Sequence, residues 1–128
     1  MKGCELCEPK EVVFESQFAY VRYEADALSA GHVIVVPKRH VADFFDMSGA
    51  EQGSVLALLN RAQKFIREKH RPDGYNIGVN IGAAAGQSRM HVHVHLIPRY
   101  AGDQHAGKGI RAIFSPAANG SRAGARRR

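Results

Sequence analysis

The sequence predicts an α+β domain: a roughly five-stranded antiparallel sheet with one long helix packed on a face. Three observations carry that expectation. The first forty residues hold short β-branched and aromatic runs parted by turn residues, one helix-period segment with a capping signature fills the middle, and two-residue alternation returns after it. In chain order these segments read β-β-β-α-β-β.

Residues 11–24 set Val12, Val13 and Phe14, then Phe18, Tyr20 and Tyr23, on either side of a polar Glu15-Ser16-Gln17, which predicts a hairpin. After a break at Ser29-Ala30-Gly31, the run His32-Val33-Ile34-Val35-Val36 is dense in β-branched residues and stopped by Pro37, so it predicts a strand. Ser48 followed three residues later by Glu51 is a capping box. Behind it Val55, Leu58, Leu59, Ala62, Phe65 and Ile66 recur at three- and four-residue steps, predicting a helix over 49–69 that ends at His70-Arg71-Pro72-Asp73-Gly74. Tyr75 to Ile81 alternates as a strand, Gly82-Ala83-Ala84-Ala85-Gly86 makes a flexible turn, and Arg89 to Pro98 alternates as the longest strand. Beyond Tyr100 the chain is glycine-rich, with an apolar island from Ile110 to Phe114. Residues 1–114 are therefore expected to form the domain, and residues 115–128, which have little to bury, a loose Arg-rich tail.

The 128 residues suit one domain, and 45% apolar with 23% charged residues argues against disorder. No apolar run has the length of a membrane span, and Met1-Lys2-Gly3-Cys4-Glu5 lacks the apolar stretch of a signal peptide, so the cytoplasm is the expected compartment. The formal charge of +6 suggests nucleic acid until it is located: Arg122, Arg126, Arg127 and Arg128 supply four of it and leave +2 elsewhere. Without basic-aromatic interleaving, a nucleic-acid-binding module is disfavoured.

The alternation of His91, His93 and His95 with Val92 and Val94 would point three imidazoles to one face of a strand and apolar side chains to the other. A solvated polar face explains this poorly, because such faces are usually mixed. One zinc bound by all three is strained, since at roughly 3.3 Å per residue the first and last Cα lie about 13 Å apart. The remaining reading is nucleophilic catalysis, with a neutral imidazole attacking an electrophile and its neighbours orienting it or protonating the leaving group. Cys4 and Cys7 form a Cys-x-x-Cys pair that points to metal or redox chemistry rather than a structural disulfide. His70 and His105 stand in no pattern and read as surface residues.

The segment His91-Val92-His93-Val94-His95-Leu96-Ile97, preceded by Gly86-Gln87-Ser88 and followed by Pro98-Arg99, resembles the signature of the histidine triad (HIT) family of nucleotide hydrolases and transferases. Ala30-Gly31-His32-Val33-Ile34-Val35-Val36-Pro37-Lys38-Arg39-His40 is similar to a second segment of that family, and Cys4-x-x-Cys7 to the metal half-site of its bacterial members. The resemblance implies the HIT fold, with short helical segments beside the long helix, and a homodimer. It implies attack by His93 on the α-phosphorus of a purine nucleotide, giving a covalent nucleotidyl-histidine that water hydrolyses. His95 and His32 complete the catalytic set. Gln87, Ser88 and Asn80 correspond to phosphate contacts and Glu24 to a ribose-hydroxyl acceptor, although an ordinary exposed Glu at a hairpin end reads almost as well.

By the same resemblance His40 and His91 join Cys4 and Cys7 around a structural zinc that takes no part in the chemical step. The expected substrates are dinucleoside polyphosphates, nucleoside phosphoramidates or adenylylated compounds. A zinc-stabilised nucleotide-binding or scaffolding protein with little turnover is the alternative.

Overall fold

The computed structural model describes residues 3–113. The strands are β1 (Val12–Glu15), β2 (Ala19–Tyr23), β3 (Val33–Pro37), β4 (Gly74–Gly78) and β5 (Val94–Arg99), with helix α1 (Gly49–His70) between β3 and β4. They form one sheet in the order β1-β2-β3-β5-β4, every neighbour pair antiparallel. The expected α+β architecture is therefore present. The Arg-rich tail, residues 115–128, lies outside the described residues, as does Phe114.

Alternation along the strands divides the molecule into two layers. Ala19, Val21, Val33, Val35, Val94 and Leu96 face α1 and bury Val55, Leu58, Ala62 and Ile66. Tyr20, Ile34 and Val36 face the other way and enclose Leu6, which reaches them from a 3-10 turn at Glu5–Cys7. The Tyr20 hydroxyl donates to the Leu6 carbonyl at 2.6 Å, so the N-terminal hook is pinned on the face opposite the helix. That second face carries the functional residues.

α1 starts as the sequence predicts: Ser48 Oγ accepts from Glu51 N and the Glu51 carboxylate accepts from Ser48 N. It ends at Arg71, a C-cap in the left-handed region at φ 49°.

The structure corrects three boundaries. β4 stops at Gly78 rather than continuing to Ile81. The 82–86 turn is a defined 3-10 turn at Ala83–Ala85 between Gly82 and Gly86, both at positive φ. The final strand is the longest, but it begins at Val94 rather than Arg89. Val94 pairs with Val35, so extending the register brings Val92 opposite Pro37, which has no amide hydrogen to offer. Val92 N donates instead to Val41 O at 2.8 Å, and residues 89–93 are a loop.

Candidate active site and metal site

Because the triad straddles the strand start, its imidazoles do not line one face. His91 turns toward the N-terminal hook, whereas His93 and His95 stay together with ring centroids 5.1 Å apart, and His32 packs on His95 at the same separation. Ile34 and Gly78 flank His95 in the ladder.

Fixed backbone partners determine which nitrogen carries each proton. The Leu28 amide can only donate, so His32 Nδ1 accepts it at 3.0 Å and His32 carries its proton on Nε2. That Nε2–H then meets His95 Nδ1 at 2.9 Å, which leaves the His95 proton on Nε2, at the far side of the ring. His93 Nδ1 lies 2.9 Å from the carbonyl of His91, which can only accept, so His93 holds its proton there and carries a lone pair on Nε2. His32 and His95 are both pushed down to about 4, first by burial and then by a neighbouring imidazole, His95 and His93 respectively. Burial also lowers His93, so it is neutral at physiological pH. The arrangement thus presents an imidazole lone pair and an imidazole N–H side by side.

Glu24 follows β2 directly and is buried, at 8% exposure, which removes the reading of an ordinary exposed residue. Burial raises its pKa, but the Arg89 guanidinium outweighs that by charge and by a 2.8 Å hydrogen bond, and the carboxyl titrates below its ordinary value. Its Oε2 lies 3.8 Å from His95 Nδ1. Asn80 and His95 border a cavity of about 290 Å³ whose other walls include Leu28, Val79 and Ile97.

Gln87 is buried and engaged on all sides: Oε1 accepts from Gly82 N, and Nε2 donates to Ala42 O and Arg89 O. With both donors committed, it braces the 82–89 loop. Ser88 beside it is exposed.

The four expected metal ligands converge. Cys4 Sγ lies 3.4 Å from His91 Nδ1, Cys7 Sγ 3.5 Å from the same atom and 3.1 Å from His40 Nδ1, and all four ligand atoms fall within 4.8 Å of one another. Tetrahedral zinc with bonds of about 2.0–2.3 Å holds its ligands some 3.3–3.8 Å apart, so the donor set fits. His91 Nε2 lies 2.7 Å from Pro37 O, an acceptor, which places the proton there and turns the Nδ1 lone pair toward the thiols.

Two histidines depart from expectation. His70 is half-buried, and a Cβ added to Gly31 would come within 2.8 Å of its ring. His105 is also half-buried, with Nδ1 enclosed. The sequence reading missed Arg89, whose guanidinium bonds Glu24 at 2.8 Å and Glu5 at 2.9 Å. Its one available signal was parity: Arg89 shares the odd-numbered register of the three histidines.

A sequence model of the HIT domain matches residues 6–102. An AP-4-A phosphorylase of Mycobacterium tuberculosis is 36% identical over 93 residues, covering 72% of this chain and 48% of that protein. A bis(5'-adenosyl)-triphosphatase of Saccharomyces cerevisiae is 32% identical over 92 residues, 71% of this chain and 45% of that one. The chain spans about half the length of these curated relatives. Among solved structures, a zinc-bound histidine triad family protein from Mycobacterium smegmatis superposes with a TM-score of 0.72 at 29% identity, covering 82% of this chain and 81% of its own.

Proposed function

The chain belongs to the HIT domain family, and from that premise we propose that it is a nucleotide hydrolase or transferase acting at the α-phosphate through a nucleotidyl-histidine on His93. The supporting observation is the proton arrangement: Nδ1 of His93 is bound to the His91 carbonyl, which leaves Nε2 as a nucleophile, and the His32–His95 bond leaves an N–H on His95 beside it. In the first step the Nε2 lone pair forms a bond to the α-phosphorus. The bond from phosphorus to the leaving-group atom breaks, its electron pair departing with that atom, to which the N–H of His95 Nε2 donates a hydrogen bond. In the second step water adds to phosphorus and gives up a proton to the solvent, and the phosphorus–nitrogen pair returns to His93 as the nucleoside monophosphate leaves.

Asn80 and Ser88 contact phosphate in this reading, Gln87 keeps their loop in shape, and Glu24 accepts the ribose hydroxyls. The cavity bordered by Leu28, Asn80 and His95 takes the purine nucleoside. Dinucleoside polyphosphates are favoured as substrates because two named relatives act on them. A zinc on Cys4, Cys7, His40 and His91 would supply rigidity, fixing the segment whose carbonyl orients the nucleophile. A homodimer belongs to the same reading, since β4 is an edge strand that leaves Ile77 exposed.

The test is to quench the enzyme during turnover of an α-phosphate-labelled dinucleoside polyphosphate and look for acid-labile label on the chain. Wild type is expected to carry it. His93→Ala should carry none and lose orders of magnitude in rate while still binding nucleotide. Retention of more than about a tenth of the rate would remove His93 from the role.

A further inference from the structure

Arg89 is bonded on two sides by unequal partners. Nη2 holds Glu24, whose side chain is only 6% exposed and lies against His95, while Nη1 holds Glu5, whose side chain is 60% exposed. Among the described residues the other cations in ion pairs with carboxylates, Lys38, Arg39 and Arg99, are held by Glu15, Glu51 and Asp103, none of which comes within 4.0 Å of a triad histidine nitrogen as Glu24 does.

We propose that Arg89 is a specificity-determining residue that binds the phosphates beyond the α-position, those that depart with the leaving group. This rests on the nucleotide chemistry proposed above and extends it to the distal half of the substrate.

The inner bond fixes the guanidinium one carboxylate away from His95. The outer bond is a solvated ion pair, worth little, that a more highly charged partner displaces. Two donors are committed, and the remaining N–H groups of the fork are available to phosphate oxygens, which the planar guanidinium can take in pairs. Space is present on the outer side: Arg89, Glu5, Met90 and His40 border a cavity of about 550 Å³, separate from the one beside Asn80. A substrate with its α-phosphate at His93 and its nucleoside beside Asn80 would send further phosphates toward Arg89, which then replaces Glu5 by a phosphate. In the first step the electron pair of the breaking bond moves onto the departing phosphate oxygen, and Arg89 stabilises that charge without exchanging a proton.

The opposed roles of Arg89 and Glu5 supply the test. Calorimetric titration of the zinc-loaded full chain at low ionic strength, without added divalent cation, compares AMP with α,β-methylene-ATP, which cannot be cleaved at the α-phosphate. Wild type is expected to bind the triphosphate more tightly. Arg89→Met should erase that preference: both nucleotides lose whatever the unpaired Glu24 costs at the ribose, and the triphosphate weakens by about tenfold to a hundredfold more than AMP. Glu5→Gln, which removes the competing carboxylate, should leave the triphosphate bound as tightly or more so. If the pair were only a brace for the N-terminal hook, both variants would weaken both nucleotides alike, and that result overturns the proposal, as does the absence of a triphosphate preference in wild type. Should Arg89→Met fail to melt cooperatively, Arg89→Lys keeps the charge without the fork and is expected to lose part of the preference. Failure of the hydrolase reading shows separately, as absence of turnover and of label on His93.

Discussion

At the scale of single residues, the site depends on imidazoles kept neutral by burial and on backbone groups that decide where each proton sits. His32 and His95 stay uncharged in the folded chain down to about pH 4, whereas in the unfolded chain they titrate near the ordinary value of 6.5. Between those values the unfolded state binds protons that the folded state refuses, so stability is full above about pH 6.5 and falls as the solution is acidified toward pH 4. Melting temperature followed across that range should show this decline. His32→Asn should flatten it relative to wild type when both are compared at equal zinc content, because zinc ligands are also lost to protons in acid. A decline of unchanged slope in the variant would show that other groups dominate.

At the scale of elements, the most exacting joint is the approach to β3. Gly31 adopts φ +90°, and a Cβ there would also press within 2.8 Å of the His70 ring. Gly31→Ala is therefore expected to cost on the order of 1–3 kcal/mol in denaturant unfolding, mostly from the backbone conformation, and to loosen His32 immediately after it. An unchanged midpoint would show that the turn relaxes. Elements of this kind were legible to the extent that their cause is local. The capping box and the helical steps from Val55 to Ile66 announce α1 because every contact that starts the helix lies within four residues. The start of β5 was not legible. Alternation from Arg89 onward describes side-chain parity, but a ladder needs a partner, and the partner's failure at Pro37 is a property of a distant segment. The His32–His95 bond joins residues 63 apart and leaves no periodic trace. The four ligands were found by resemblance, and the structure supplies what sequence spacing cannot, the convergence of the hook, the loop after β3 and the triad segment.

At the scale of the whole molecule, the helix side of the sheet is a continuous apolar core, whereas the other side is closed by a few N-terminal residues and the donor cluster. Replacing Cys4 and Cys7 together by Ser should thus lower zinc content and melting temperature in parallel and spare most of the rate per folded molecule. Metal analysis with thermal melts checks this, and an unchanged melting temperature with the zinc gone would mean that the metal adds no stability. The hook has a further consequence in time rather than in energy. Cys4 meets His91 across 87 residues of chain and Glu5 meets Arg89 across 84, so the hook closes one of the longest loops in the protein. Long closures come late in folding, after the hairpin and the sheet-helix core exist to receive them. Until that closure the thiols beside His91 are missing, so the donor cluster is the last part of the molecule to be assembled.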